Sequence, residues 1–395
     1  MIKRMCVYVM VLLTMTMVIT GNISADSDII LREKVNTILK SYIEYKERGL
    51  LQKNQSLDFN ISAEVVEDNL ERAKAIVQMC KSTDLIVTDV KITYQMKNIQ
   101  RETEKIKVSV YEWTDIYYIC KGFEKTEQMG FGTDHELLLT TDGTHIVLEA
   151  DFYDESCTTG ICTARVDCTK EKPTILMPAT EHIRNVAVLS PVNHFYQGYN
   201  TANAIDYAHQ WCGRSSTGYS SGMNSPGYNP AYYYCSQDCA NFVSQCIHAG
   251  GVSETFAYVS WHHISPPNTT VPLQADYDLN AGTLQWISVA DFQTYWMAQG
   301  ITRRQGTSYI MLGNPVFWLY EPYCHVMICT GFNSAGTPLL DGHNGDMRSY
   351  PITSISGSHT YYTLTFHCDH SWSYDSSVHM YQCTKCLSYS QIGPY

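Results

Sequence analysis

The apolar positions of this chain change their period as they are followed from one end to the other. Residues 31–50 (LREKVNTILKSYIEYKERGL) and 62–80 (SAEVVEDNLERAKAIVQMC) repeat every three to four residues, the period of a helix with one face in a core. Ser62 stands where a cap is needed, and Glu64 and Glu67 put negative charge near the positive end of that helix dipole. The period then falls to two. DLIVTDVKITYQM, EKIKVSVYEWTDIYYIC, DHELLLTTD and THIVLEADFY alternate apolar and polar residues, which predicts long half-buried strands. Asp142-Gly143 marks a hairpin turn between the last two. Two helices followed by a stranded meander predict a small α+β domain over residues 26–155.

At the level of fold that domain is similar to cystatin-like or nuclear-transport-factor-like sheets. It shows no catalytic constellation, so its expected part is a partner, wall or self-association module. Residues 156–192 lose all periodicity and hold Cys157, Cys162, Cys168 and prolines, which makes them the expected linker. Cys157 and Cys162 are spaced for a local disulfide. A second domain is expected over 193–366. YNTANAIDYAHQWC (199–212) reads as a helix, and a loop rich in Ser, Gly, Tyr and Asn follows. Asp238 then offers a cap for a helix running from Cys239 to Ala249, where Gly250-Gly251 stops it. EPYCHVMICTGFN (321–333) alternates as a strand with His325, Met327 and Cys329 on one face, and SAGTPLLDGHNGDM (334–347) gives a turn and a short strand ending at His343.

The first 25 residues change the picture of where the chain works. Lys3 and Arg4, an apolar run at 7–20 and the small residues before position 26 match a secretory signal peptide cut after Ala25. The run is short of the ~20 residues of a membrane span. The mature protein is therefore expected outside the cell, free or associated with the wall, with no stable membrane insertion. The formal charge of −12 includes two lysine or arginine charges and no acid before residue 26, so it becomes −14 on cleavage. That disfavours nucleic acid and anionic lipid, both of which need basic patches.

The stretch YCSQDCANFVSQC (234–246) carries the chemistry. Cys239 opens a helix, where the dipole favours a thiolate. Cys246 lies two turns in, as a small apolar residue, and Cys235 lies in the loop before. A thiolate nucleophile needs an imidazole, and the strand residue His325 is the candidate base. A polar residue on the next strand completes the order Cys, His, third residue that papain-type hydrolases share.

Three segments together, YNTANAIDYAHQWC, NPAYYYCSQDCANFVSQCIHAGG and CHVMICTGFN…LLDGHNGDM, resemble the bacterial putative amidase domain, a family related to NlpC-type and CHAP-type cell-wall cysteine hydrolases. The resemblance covers roughly residues 195–366 and centres on Asp238-Cys239-Ala240-Asn241-Phe242-Val243-Ser244-Gln245. Two positions depart from the pattern: Thr201 where an Arg is common, and Gly313-Asn314 where Gly-Asp is usual. The resemblance implies a papain-like fold with Cys239 as nucleophile and His325 as base. The third member is His343 or Asp341, which share one strand face, with Asn344 as a further alternative. Asp238, Asn241 and Tyr234, which flank the nucleophile, are the candidates for contacting substrate, and the oxyanion would be held by the Cys239 N–H. No cofactor is needed. The expected activity is cleavage of amide bonds, foremost in peptidoglycan peptides. The rival reading is a non-catalytic wall-binding protein that keeps the hydrolase fold.

The tail, 367–395, reads differently again. Cys383 and Cys386 form a C-x2-C pair, His379 lies four residues before it, and Cys368 and His370 lie upstream. This spacing predicts a closed structural zinc knuckle of Cys368 or His370 with His379, Cys383 and Cys386.

Overall fold

The two helical periods at the start of the chain form α1 (residues 29–50) and α2 (Ala63–Ser82). Ser62 caps α2 by accepting a hydrogen bond from the Val65 N–H at 3.3 Å. The alternating segments form β1 (Leu85–Glu102), β2 (Lys105–Cys120), β3 (Thr126–Thr141) and β4 (Ile146–Tyr153). The computed structural model describes residues 29–53, 61–102, 104–141, 145–153, 196, 198–213, 227–235, 237–256, 259–268, 273–320, 323–344, 346–355, 359–368, 372–375, 380–383 and 389–390. The expected leader, the expected linker with Cys157, Cys162 and Cys168, the expected turn at Asp142-Gly143, and His370, His379 and Cys386 lie outside the described residues. Among the described residues no helix is long and apolar enough to cross a membrane.

The chain divides into two compact units. The first holds Met1–Lys74, Ile92–Tyr111 and Asp134–Tyr153. Its core joins Val35, Leu39 and Tyr42 of α1 to Val65 of α2 and to Ile106, Val108, Leu137, Leu139 and Leu148 of the strands. A buried polar knot sits beside that core. The Asp151 carboxylate accepts from Tyr42 at 2.6 Å and pairs with His135 Nδ1 at 2.7 Å, with the Lys46 ammonium 3.9 Å away. Burial alone would raise the Asp151 pKa, but His135, Lys46 and the Tyr42 hydroxyl outweigh it and hold the carboxyl well below its usual range.

The second unit holds Ala75–Lys91, Glu112–Thr133 and everything from Asp154 onward. This division does not follow the expected boundary near residue 155, and strand pairing is the reason. Phe131 and Gly130 of β3 pair with Met347 and Arg348, Glu127 accepts from the Ser334 N–H at 2.7 Å, and the Tyr350 hydroxyl donates to the Met79 sulfur.

Further elements of this unit are α3 (Thr201–Trp211), β5 (Tyr233–Tyr234), α4 (Cys239–Ala249), β6 (Leu273–Gln274), α5 (Leu284–Ile287) and α6 (Val289–Ala298). The strands β7 (Arg303–Gln305), β8 (Pro315–Tyr320), β9 (Tyr323–Phe332), β10 (Pro338–Gly342), β11 (Met347–Pro351) and β12 (Tyr361–Leu364) follow. From β3 the sheet order is β3-β11-β10-β9-β8-β12-β7, antiparallel throughout. The fold is thus α+β with a mostly antiparallel sheet. Residues of α3, α4 and α6 pack with Phe317, Val326, Ile328 and Leu364 in one core. These four are the apolar residues that the strand period puts on a single face of the sheet. In the tail, β13 (Trp372–Asp375), β14 (Met380–Cys383) and β15 (Tyr389–Ser390) form a three-stranded antiparallel sheet, with Trp372 opposite Cys383.

Candidate active site

Cys239 is the first residue of α4, and the sheet-facing side of that helix continues through Phe242, Val243 and Cys246 in the core. Of the three clustered cysteines, Cys239 keeps the most exposure, at 6%, against 3% for Cys235 and none for Cys246. Burial pushes the thiols of Cys235 and Cys246 up, with help from Asp238 at the first and Asp341 at the second. Neither is poised as a thiolate.

Asp238 does not cap α4 in the expected way. Its backbone is helical (φ −91°, ψ −2°), and its side chain makes no capping bond. The carboxylate is spent on other partners. Oδ1 accepts from the Cys235 N–H at 2.7 Å and from the Asn241 amide at 2.7 Å, and Oδ2 pairs with His343 Nδ1 at 2.6 Å. The Asp238 N–H donates to the Asn344 side chain. Asn344 has φ +65°, a left-handed conformation that Asn tolerates and that turns the chain directly after His343. Asn241 is fully buried and equally engaged. Its Nδ2 also donates to the Tyr233 carbonyl at 2.8 Å, and its Oδ1 accepts from the Trp286 indole at 2.7 Å. Asp238 and Asn241, expected to contact substrate, are both buried and bonded internally. Tyr234 is half-buried, with its ring 4.4 Å from that of Tyr228.

His343 is 2% exposed, stacked on Phe242 at 4.0 Å, with Tyr228 at 4.6 Å. Its Nε2 faces the Trp211 carbonyl at 2.7 Å. A carboxylate on one ring nitrogen and a carbonyl on the other are both acceptors, an arrangement that favours the doubly protonated ring. Burial works against that charge. The Asp238 hydrogen bond and charge, with Asp346 and the Trp211 carbonyl, outweigh it and raise the pKa above the ordinary value. Neither ring nitrogen is turned to another imidazole, so the role of orienting His325 does not fall to His343 here.

Asp341 is on the same side of the sheet, fully buried. It accepts from the Cys212 thiol at 2.9 Å, the Thr330 hydroxyl at 2.7 Å and the Ser349 N–H at 2.7 Å. His209 Nε2 lies 3.6 Å away, too far for a hydrogen bond. Asp341 thus ties α3, β9 and β11 together, and it too does not orient His325.

His325 itself lies across the sheet. Phe317 pairs with Val326 and Trp318 with His325 in regular register, and Phe317, Val326 and Ile328 belong to the helix-side core. Alternation then sends Trp318, His325 and Met327 to the opposite face. The His325 ring packs on Trp318 at 4.7 Å, and burial lowers its pKa to about 4, so it is neutral at physiological pH. The strand thus puts Val326 and Ile328, rather than His325, in the core that also holds Cys239.

Of the tail residues, Cys368 is buried and Cys383 ends β14. Among the described residues no group of three or more His, Cys, Asp or Glu side chains is arranged to hold a metal. Sequence reasoning missed the Trp211 carbonyl, Cys212, Tyr228 and Trp286. Trp211 and Cys212 end the segment YNTANAIDYAHQWC, but nothing in it marks them for the site; Tyr228 and Trp286 stand in no motif, and only the fold brings the four near the α4 start.

Residues 198–366 match the family model described as "Putative amidase domain". No curated protein and no solved structure matches the chain. The family match supports the amidase-domain family for this part of the chain and suggests a hydrolase acting on amide bonds.

Proposed function

We propose that this protein is an exported thiol hydrolase of amide bonds, with Cys239 as nucleophile and peptidoglycan peptides as substrate. The observation that carries the reading is the position of Cys239: it opens α4 within the matched region, and the residue before it, Asp238, holds the His343 ring. A helix start and a neighbouring cation both favour the thiolate. In this reading His343, not His325, serves the thiol, because it is the imidazole on the helix side of the sheet. The thiolate adds to the amide carbonyl, the leaving amine takes a proton from His343 once the ring exchanges its bond to the Trp211 carbonyl for one to the substrate, and water then hydrolyses the thioester. The backbone N–H at the helix start is suited to the oxyanion. The leader at 1–25 and the net negative charge suit an exported protein.

The test treats purified protein with iodoacetamide or with a chelator and measures release of amines from cell-wall digests. Loss with the alkylator and retention with the chelator is expected. Retention after complete alkylation of Cys239 would remove it as nucleophile, and chelator-sensitive activity would favour a metal hydrolase.

A further inference from the structure

The start of α4 is fixed by a chain of buried polar side chains that reaches beyond the residues expected to do chemistry. Trp286 of α5 donates its indole N–H to Asn241 Oδ1 at 2.7 Å. Asn241 donates to Asp238 Oδ1 at 2.7 Å, and Asp238 Oδ2 holds His343 at 2.6 Å. Trp286 and Asn241 are fully buried, and Asp238 and His343 are 1% and 2% exposed, so water does not substitute for a lost link. The amide of Asn241 has one orientation that serves both neighbours: its oxygen must face an indole donor and its nitrogen a carboxylate. The second amide proton goes to the Tyr233 carbonyl at 2.8 Å, which pins the same orientation from the loop side.

We propose that Trp286, acting through Asn241 and Asp238, is a positioning residue for the thiol chemistry: its indole N–H latches the side chains that hold the His343 ring beside Cys239. This rests on the reading of Cys239 as nucleophile, but its test does not need the substrate. When the latch is lost, the Asn241 oxygen is a buried acceptor with no donor, only the Tyr233 carbonyl and Asp238 itself still hold the amide, and the hold of Asp238 on His343 is weakened. The groups facing the His343 ring are Asp238, Asp346, the Trp211 carbonyl and the Tyr228 and Phe242 rings; Cys239 opens the helix that carries Phe242, Cys235 precedes it, and Asp341 lies on β10, which ends one residue before His343. Burial opposes the charge on this ring and Asp238 is what sustains it, so weakening that pair lets the ring become neutral at a lower pH. The thiol of Cys239 then loses its neighbouring cation and needs a higher pH to ionise.

The readout is the pH dependence of Cys239 alkylation by iodoacetamide, followed by mass spectrometry on the full chain. Trp286→Phe keeps an aromatic ring among Tyr232, Trp261 and His263 but removes the donor. It should move the alkylation midpoint upward by about one pH unit and slow alkylation at pH 7 about tenfold, as His343→Gln also should. Trp261→Phe is the control. Its indole donates to Ser244 at 3.2 Å, and Ser244 donates to the Trp286 carbonyl at 2.8 Å, so it bears on the packing and backbone of Trp286 but makes no bond to Asn241; a packing effect would move both variants, and loss of the indole–amide link moves only one. A Trp286→Phe midpoint equal to wild type, or equal to that of Trp261→Phe, overturns the proposal. If Trp286→Phe does not fold, Asn241→Ala breaks the same latch from the other end and is read by the same two outcomes. If alkylation behaves as expected but Cys239→Ala still cleaves amides, the latch stands and the catalytic reading falls.

Discussion

At the scale of single residues the molecule separates cysteines and histidines that look alike in sequence. Cys239→Ala should abolish amide hydrolysis and leave the melting temperature nearly unchanged, because alanine suits a helix start. Cys235→Ala and Cys246→Ala should keep most activity, since both thiols are buried and pushed away from ionisation. A dead Cys235→Ala with an active Cys239→Ala would reverse the assignment. The histidines differ in sign. The pKa of His343 is raised in the fold, so its charge stabilises the protein fully below the unfolded value of 6.5, and that stability is lost as pH rises through the folded value. His325 does the opposite: it stays neutral down to about 4, and stability falls as pH drops from 6.5 towards that value. Melting curves from pH 4 to 9 should therefore lose their alkaline decline in His343→Gln and part of their acid decline in His325→Phe. In activity, His343→Ala should lose several orders of magnitude and His325→Ala little. The converse would return the base role to His325 and require β9 to turn its edge toward α4.

At the scale of elements, much of the architecture was legible because it follows local rules. The helices α1, α2, α3 and α4 and the strands β1 to β4 all lie where the apolar period put them, and Ser62 caps α2 as its position suggested. Period alone also placed His325, Met327 and Cys329 on one face of β9. It did not say which face meets the helices. That is decided by Val326 and Ile328, whose burial against α3 and α4 outweighs any preference of an imidazole. Long-range bonds were invisible for the same reason: nothing local ties Asp341 to Cys212, 129 residues away. Asn314 is a similar case. It stands where Asp is usual, and its amide both donates to the His367 carbonyl at 3.0 Å and accepts from the His367 N–H at 2.8 Å. A carboxylate can do only the second, so Asn314→Asp should lower the melting temperature without altering the alkylation profile of Cys239. Asp341→Ala strips partners from a thiol, a hydroxyl and an N–H in the core. It should destabilise by about 3 kcal/mol, at roughly 1–3 kcal/mol for each buried group left unpaired. Denaturant melts check this. A catalytic Asp341 would instead lose activity at full stability.

At the scale of the whole molecule the question is what the tail adds to the unit before it. The pairing of Asn314 with His367 carries the ordered chain past residue 366, and the next residue, Cys368, is buried. The end of this body is therefore better drawn after Cys368 than before His367. Beyond it, β13, β14 and β15 make a sheet of short strands, the longest of four residues, and two- and three-stranded units of that size need something else to hold them. One zinc ion per chain, on His379, Cys383 and Cys386 with Cys368 or His370, would supply it, because metal binding at such spacing is folding free energy. Zinc content by mass spectrometry should be one in the intact protein and none in a chain ended after Cys368. Cys386→Ser should release the ion and open the chain beyond residue 371 to proteases. The shortened protein should still cleave a soluble peptide amide and should keep the wild-type pH profile of Cys239 alkylation. Equal zinc in intact and shortened protein would move the metal into the body, and the cysteines at 235 and 239 would then have to be weighed as its ligands.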